Sequence, residues 1–131
     1  MYLIDTDIII YSLKGVPKVV GNFESHAAAS KAISVITYGE LVYGAMKSSR
    51  VDENMARVRR IAELFPVIDA NRSIMDAFGS LKARVEKTGK RTDDFDLIIA
   101  ATALTLSYTL VTNNEKHFES IPGLSIENWS R

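Results

Sequence analysis

DDFDLIIAATALTLSYTLVTNN, residues 93–114, is the stretch on which the reading of this chain turns. From Asp96 to Leu106 it is apolar on nearly every face at helical spacing, which predicts a buried helix rather than one resting on the surface. Its apolar part, Leu97 to Leu104, is too short to cross a bilayer. Thr109–Thr112 follows as a strand, and Asn114–Phe118 as a helical turn. Leu124-Ser125-Ile126 is a last short strand.

Working back towards the amino terminus, the same alternation recurs. Ile74, Ala77, Phe78, Leu81 and Val85 mark a helix that Gly89 can stop, and Pro66-Val67-Ile68 precedes it as a strand. Met55, Val58, Ala62 and Phe65 share one side of a helix from about Asp52 to Leu64. Tyr38, Leu41, Val42 and Ala45 form an apolar stripe on a helix from about Tyr38 to Lys47, after the strand Ile33-Ser34-Val35. A helix over Lys18–His26, another over Ile8–Leu13 and the strand Tyr2-Leu3-Ile4 complete the list. Strands alternating with helices predict an α/β domain, a mainly parallel sheet covered on both faces. Residues 1–131 are expected to make one domain around one core.

Composition narrows the class. Hydrophobic content of 47% with 24% charged residues excludes a disordered chain, and the lack of cysteine excludes disulfide and thiolate–metal frameworks. The opening MYLIDTDIII carries two acids and no basic leader, so it reads as neither a signal peptide nor a membrane span, and a cytoplasmic location is expected. Sixteen basic and sixteen acidic residues cancel. Any nucleic-acid binding must therefore rest on local basic patches and a bound cation.

Ligands of parallel α/β sheets bind beyond the carboxyl ends of the strands. Asp5, Glu40, Asp96 and the Asn113-Asn114 pair each stand just after a strand or in the first turn of a helix. Singly, each acid has a local use. Asp5 can cap the helix that follows it. Thr37-Tyr38-Gly39-Glu40 fits a capping box, and Asp96 suits a helix amino terminus. Jointly they conflict: at an effective dielectric near 20, two charges 4 Å apart repel by about 4 kcal/mol, more than the roughly 1 kcal/mol a cap returns. A bound cation reverses that sign, and an all-oxygen ligand set suits Mg²⁺ or Mn²⁺.

Four blocks of the chain carry a resemblance: MYLIDTDIIIY, ISVITYGELVYGAMKS, DDFDLIIAATAL and TLVTNNEKHFESIPGLSIENW. In order and spacing they resemble PIN-domain ribonucleases, and most of all the VapC toxins of type II toxin–antitoxin pairs. The resemblance implies a three-layer α/β/α sandwich with a short central sheet. It implies a Mg²⁺-dependent endoribonuclease, with Mn²⁺ able to substitute, that hydrolyses RNA through a metal-activated water to leave a 5′-phosphate and a 3′-hydroxyl. Asp5 and Asp96 are then the metal ligands and Glu40 the further acidic residue, with Thr6, Thr112 and Asn114 in support. Asn114 stands where many PIN domains have a fourth acid, which favours one firmly held ion. Asp7 replaces a common Asn and is expected at the rim, and Asp94 as a helix cap.

The implied partners are an RNA substrate, with transfer RNA the expected one, a cognate VapB-type antitoxin, and a second copy of the chain. The apolar side of the Met55–Phe65 helix could serve either as a homodimer surface or as core. Two basic groups could meet the RNA backbone: Arg57, Arg59 and Arg60, or Lys82, Arg84, Lys87, Lys90 and Arg91. A rival cleavage chemistry, 2′-hydroxyl attack driven by histidines, would have to use His26 and His117, for which ordinary helix-end and surface roles are expected. Asp5-Thr6-Asp7 also resembles the start of aspartate-nucleophile phosphatases, but the downstream Lys they need is missing. A receiver-like phosphoacceptor role for Asp69 lacks its Lys for the same reason, and Asp69 reads more simply as an N-cap.

Overall fold

The side chains of three short strands sort themselves to opposite faces of one sheet, and this sorting divides the core. In a computed structural model describing residues 1–131, β1 (Tyr2–Ile4), β2 (Lys31–Ser34) and β4 (Thr109–Val111) lie side by side. Successive residues of a strand point to opposite faces. Accordingly Leu3, Ala32 and Leu110 pack into one cluster while Ile4, Ile33 and Val111 pack into another, all nearly or wholly buried. The first cluster is closed by α5 (Arg72–Lys87), α6 (Asp94–Leu106) and α7 (Glu115–Phe118). The second is closed by α1 (Thr6–Leu13), α2 (Pro17–Ser25), α3 (Val35–Met46) and α4 (Val51–Leu64). The result is the expected three-layer α/β/α sandwich.

With β3 (Val67–Ile68) and β5 (Ile126–Glu127) the sheet runs β3-β2-β1-β4-β5, every pairing parallel. The last strand forms two residues later than Leu124–Ile126, because its ladder partners are Leu110 with Ile126 and Val111 with Glu127. Burial of α6 is as expected: Leu97, Ile99, Ala100, Ala101 and Ala103 are each 1% exposed or less. Met55, Val58 and Ile61 of α4 are core, with Ile61 rather than Ala62 as the third inward residue. That apolar side is therefore spent inside the molecule and is not a dimer surface.

Several helix starts differ from the sequence reading. α3 begins at Val35, capped by the Ser34 hydroxyl accepting from Ile36 N (3.0 Å), so Glu40 lies in its second turn and the Thr37–Glu40 capping box does not form. Asn71, not Asp69, caps α5, accepting from Ile74 N at 3.0 Å. Asp94 is already the first helical residue of α6 and pairs with Lys82 (3.0 Å); the N-cap position belongs to Asp93. No helix is long and apolar enough to cross a membrane.

Candidate metal and nucleic-acid site

Parallel pairing puts the residues that follow two neighbouring strands next to each other. Ile4 is in register with Val111, so Asp5 and Thr112 emerge together at the carboxyl edge of the sheet. Asp5 N donates to Val111 O (2.9 Å), and the Thr112 hydroxyl donates to Asp5 Oδ2 (2.7 Å). The other oxygen, Oδ1, accepts from Thr6 N (2.8 Å), so Asp5 does cap α1. The capping role and a ligand role therefore coexist in one carboxylate, since each oxygen keeps a lone pair.

Asp5 is 4% exposed. Burial, then the nearby charge of Asp7 and, less strongly, that of Asp96, push its pKa up to about 7 against the pull of the Thr112 and Thr6 hydrogen bonds. Asp7 is raised as well, by burial first and with Asp96 contributing. Asp96 is raised by burial first, and by Asp93, against the His117 contact. Three acids thus share one electrostatic neighbourhood. Asp7 belongs inside that group rather than at its rim: its Oδ2 accepts from Asn113 N (3.1 Å), while its buried Oδ1 has no partner at all.

Glu40 joins from the α3 side through a hydroxyl. Thr6 has one proton and gives it to Glu40 Oε1 (2.7 Å), and its oxygen lies 3.0 Å from the hydroxyl of buried Thr37. Since Thr6 directly follows Asp5, that one residue links Asp5 to Glu40, two of the three expected site acids. Asn114 contributes its backbone, donating from N to Thr112 Oγ1 (3.0 Å), while the residue itself is exposed. Asn114 is the amide expected to support the site, but the side-chain network at this turn belongs to its neighbour. Asn113 donates from Nδ2 to the Tyr11 hydroxyl (3.3 Å) and accepts at Oδ1 from Asn128 Nδ2 (3.2 Å) and Ser130 Oγ (2.6 Å).

Two further residues come into view only in three dimensions. His117 Nδ1 lies 3.0 Å from Asp96 Oδ2, which corrects its reading as an ordinary surface histidine. Lys116 lines the cleft of about 360 Å³ beside Asp96 and His117. Helical spacing offers no signal for either contact, because α6 and α7 meet only through the fold. His26 is elsewhere occupied: it stacks on Trp129 (4.6 Å between centroids) and its Nδ1 is 2.8 Å from Asn22 O. The two histidines share no partner, so a paired-histidine mechanism has no site.

An orphaned buried carboxylate oxygen beside two more acids with raised pKa values is the electrostatic arrangement that a divalent cation relieves, and the oxygen-only donors suit a hard ion. No three Asp, Glu or His side chains close on one point as a preassembled cage. An ion held here would therefore keep much of its water, as Mg²⁺ commonly does with one or two carboxylates.

A parallel α/β/α sandwich with clustered acids at the carboxyl edge of its sheet defines a class, and the PIN domain family model matches residues 2–124. The chain is 34% identical to "Ribonuclease VapC2" of Haemophilus influenzae, over 98% of this chain and 97% of the relative. It is 31% identical to "tRNA(fMet)-specific endonuclease VapC" of Shigella flexneri, over 98% of each. In shape it is similar to DNA-bound VapBC from Salmonella typhimurium, with a TM-score of 0.90 at 32% identity, covering 98% of this chain and 97% of that one. The chain belongs to the VapC ribonucleases of the PIN-domain family. That family is generally dependent on a divalent metal.

Proposed function

We propose that this protein is the toxin of a VapBC pair, an endoribonuclease that uses Mg²⁺, with Mn²⁺ as substitute, to hydrolyse phosphodiester bonds of transfer RNA. The observation that carries the site is the electrostatic coupling of Asp5, Asp7 and Asp96 together with the buried Asp7 Oδ1 that has no partner. Asp5 and Asp96 would hold the cation, with Thr112 and Thr6 fixing the two oxygens of Asp5 and His117 fixing one of Asp96. When bound, the cation would lower the pKa of water and offset charge on the transferring phosphoryl group. Glu40, held by Thr6, stands ready to orient a water or accept its proton.

Transfer RNA as substrate is carried over from the Shigella relative, and an antitoxin partner from the VapBC neighbours. A cytoplasmic location follows from that substrate. A homodimer would have to use a face other than the inward side of α4. The phosphatase and receiver readings find no support: Thr112 leads into Asn113 rather than the Lys that both need, and Asp69 is an exposed residue without a cap role.

The test separates capping from catalysis. Asn caps as well as Asp. Asp5→Asn, Asp96→Asn and Glu40→Gln should keep the circular dichroism and cooperative melt of the parent. Each should lose at least about 100-fold in Mg²⁺-dependent cleavage of transfer RNA, the scale of removing a key electrostatic or acid–base group. Folded variants that cleave at the parental rate would remove these residues from the site.

A further inference from the structure

On its Asp96 side the acidic site has a basic border, whereas on its Glu40 side the cation lining the cleft is Arg57. Lys90, Arg91, Lys116 and His117 line the cleft that contains Asp96 and Asp93. Lys90 also borders both adjoining clefts, one reaching Arg84 and the other Lys82 and Asp94. Of the first basic group two charges are paired and Arg59 is not; of the second only Lys82 is paired, with Asp94. Arg57 is paired with Glu53 (3.3 Å) and Arg60 with Glu63 (3.2 Å), each on its own helix. Lys90, Arg91 and Lys116 are exposed and make no ion pair. These three cations are placed at the mouth of the candidate site, beside Asp93 and Asp96.

We infer that Lys90, Arg91 and Lys116 form a phosphate track along which the RNA strand approaches Asp96, and that the Arg57–Arg60 face takes no part. The inference rests on the ribonuclease reading and says where the substrate lies. A polyanion is the partner that this geometry fits. The cations sit on two segments, the loop before α6 and the short α7, so a strand crossing between them would meet charge from both sides. Repulsion between the acids and the phosphates would be offset at the entrance to the site. Each phosphate contact releases counterions, which makes the track measurable by salt.

The experiment is fluorescence anisotropy of a labelled single-stranded oligoribonucleotide in EDTA, where metal-dependent cleavage is silent, at several KCl concentrations. Lys90→Ala/Arg91→Ala/Lys116→Ala should flatten the slope of log affinity against log salt by about 2, at roughly 0.7 for each lost contact. Arg57→Ala/Arg59→Ala/Arg60→Ala should leave the slope at the parental value. An unchanged slope in the first variant, or a flattened one only in the second, overturns the track. So does a wild type that binds without salt dependence. If the first variant instead keeps its RNA slope and loses affinity for an acidic antitoxin segment, the surface is a protein-docking one and the inference fails. Cleavage by the unaltered protein in Mg²⁺, measured on the same RNA, tests the ribonuclease reading separately: cleavage with an unchanged slope sinks only the track.

Discussion

At the scale of single residues, Asp5 carries the most chemistry. Its pKa stands at about 7 in the folded protein against 3.8 when free, so the metal-free fold binds that proton more tightly than the unfolded chain does. The stabilisation is fully present below about pH 4 and is lost as the pH rises through about 7, a change on the order of 4 kcal/mol. Asp7 and Asp96 shift in the same direction and add to the slope. Metal-free Asp5→Asn should therefore melt above the parent at pH 8 and close to it at pH 4, by thermal denaturation in EDTA. His117 gives a second prediction. Losing a side chain that orients a ligating carboxylate commonly weakens metal binding 10–100-fold. His117→Ala should show about that loss of Mg²⁺ affinity by calorimetry, and His117→Asn, which still offers a donor to Asp96, should recover part of it.

At the scale of elements, the legibility of the sequence had a clear physical limit. The apolar run of residues 97–104 announced α6, because burial on every face leaves no polar side to misread. The acids at strand ends announced the edge of the sheet on which they would meet. The exact starts of helices were less legible: Ser34, Asn71 and Asp93 occupy cap positions beside other plausible caps, and only backbone geometry chooses among them. Asp7, Asn113 and His117 were underread for another reason. Their partners lie 106, 106 and 21 residues away, where no periodicity can point. The carboxyl end of α6 shows a local cost of its own. Ser107 takes a left-handed conformation (φ 56°) so that Tyr108 N can reach Ala103 O (2.9 Å), a helix-ending turn that usually employs glycine. Relief of that strain, partly offset by the greater freedom of glycine when unfolded, should make Ser107→Gly more stable by about 0.5–1 kcal/mol in urea titrations.

At the scale of the whole molecule, a cation held by these acids would be thermodynamically linked to the fold. An ion that binds the assembled acids but not the open chain stabilises by about 2.7 kcal/mol at a concentration 100 times its Kd. Mg²⁺ should thus raise the Tm of the parent at pH 8 by several degrees, less at pH 5 where protons compete, and scarcely at all in Asp5→Asn/Asp96→Asn. The join between β1 and β4 has a bearing on time as well. Asp5 and Thr112 touch across a separation of 107 residues, and Asn113 ties the turn after β4 to Tyr11 of the first helix and to Asn128 and Ser130 near the last residue. Contacts of such range form late, after the intervening chain has been ordered. On the ribosome, Asp5 is made 107 residues ahead of Thr112, and the site cannot close before that length has followed. If the protein is the toxin proposed above, a nascent chain shorter than that carries no closed site, and an antitoxin made over the same interval would be there to meet it.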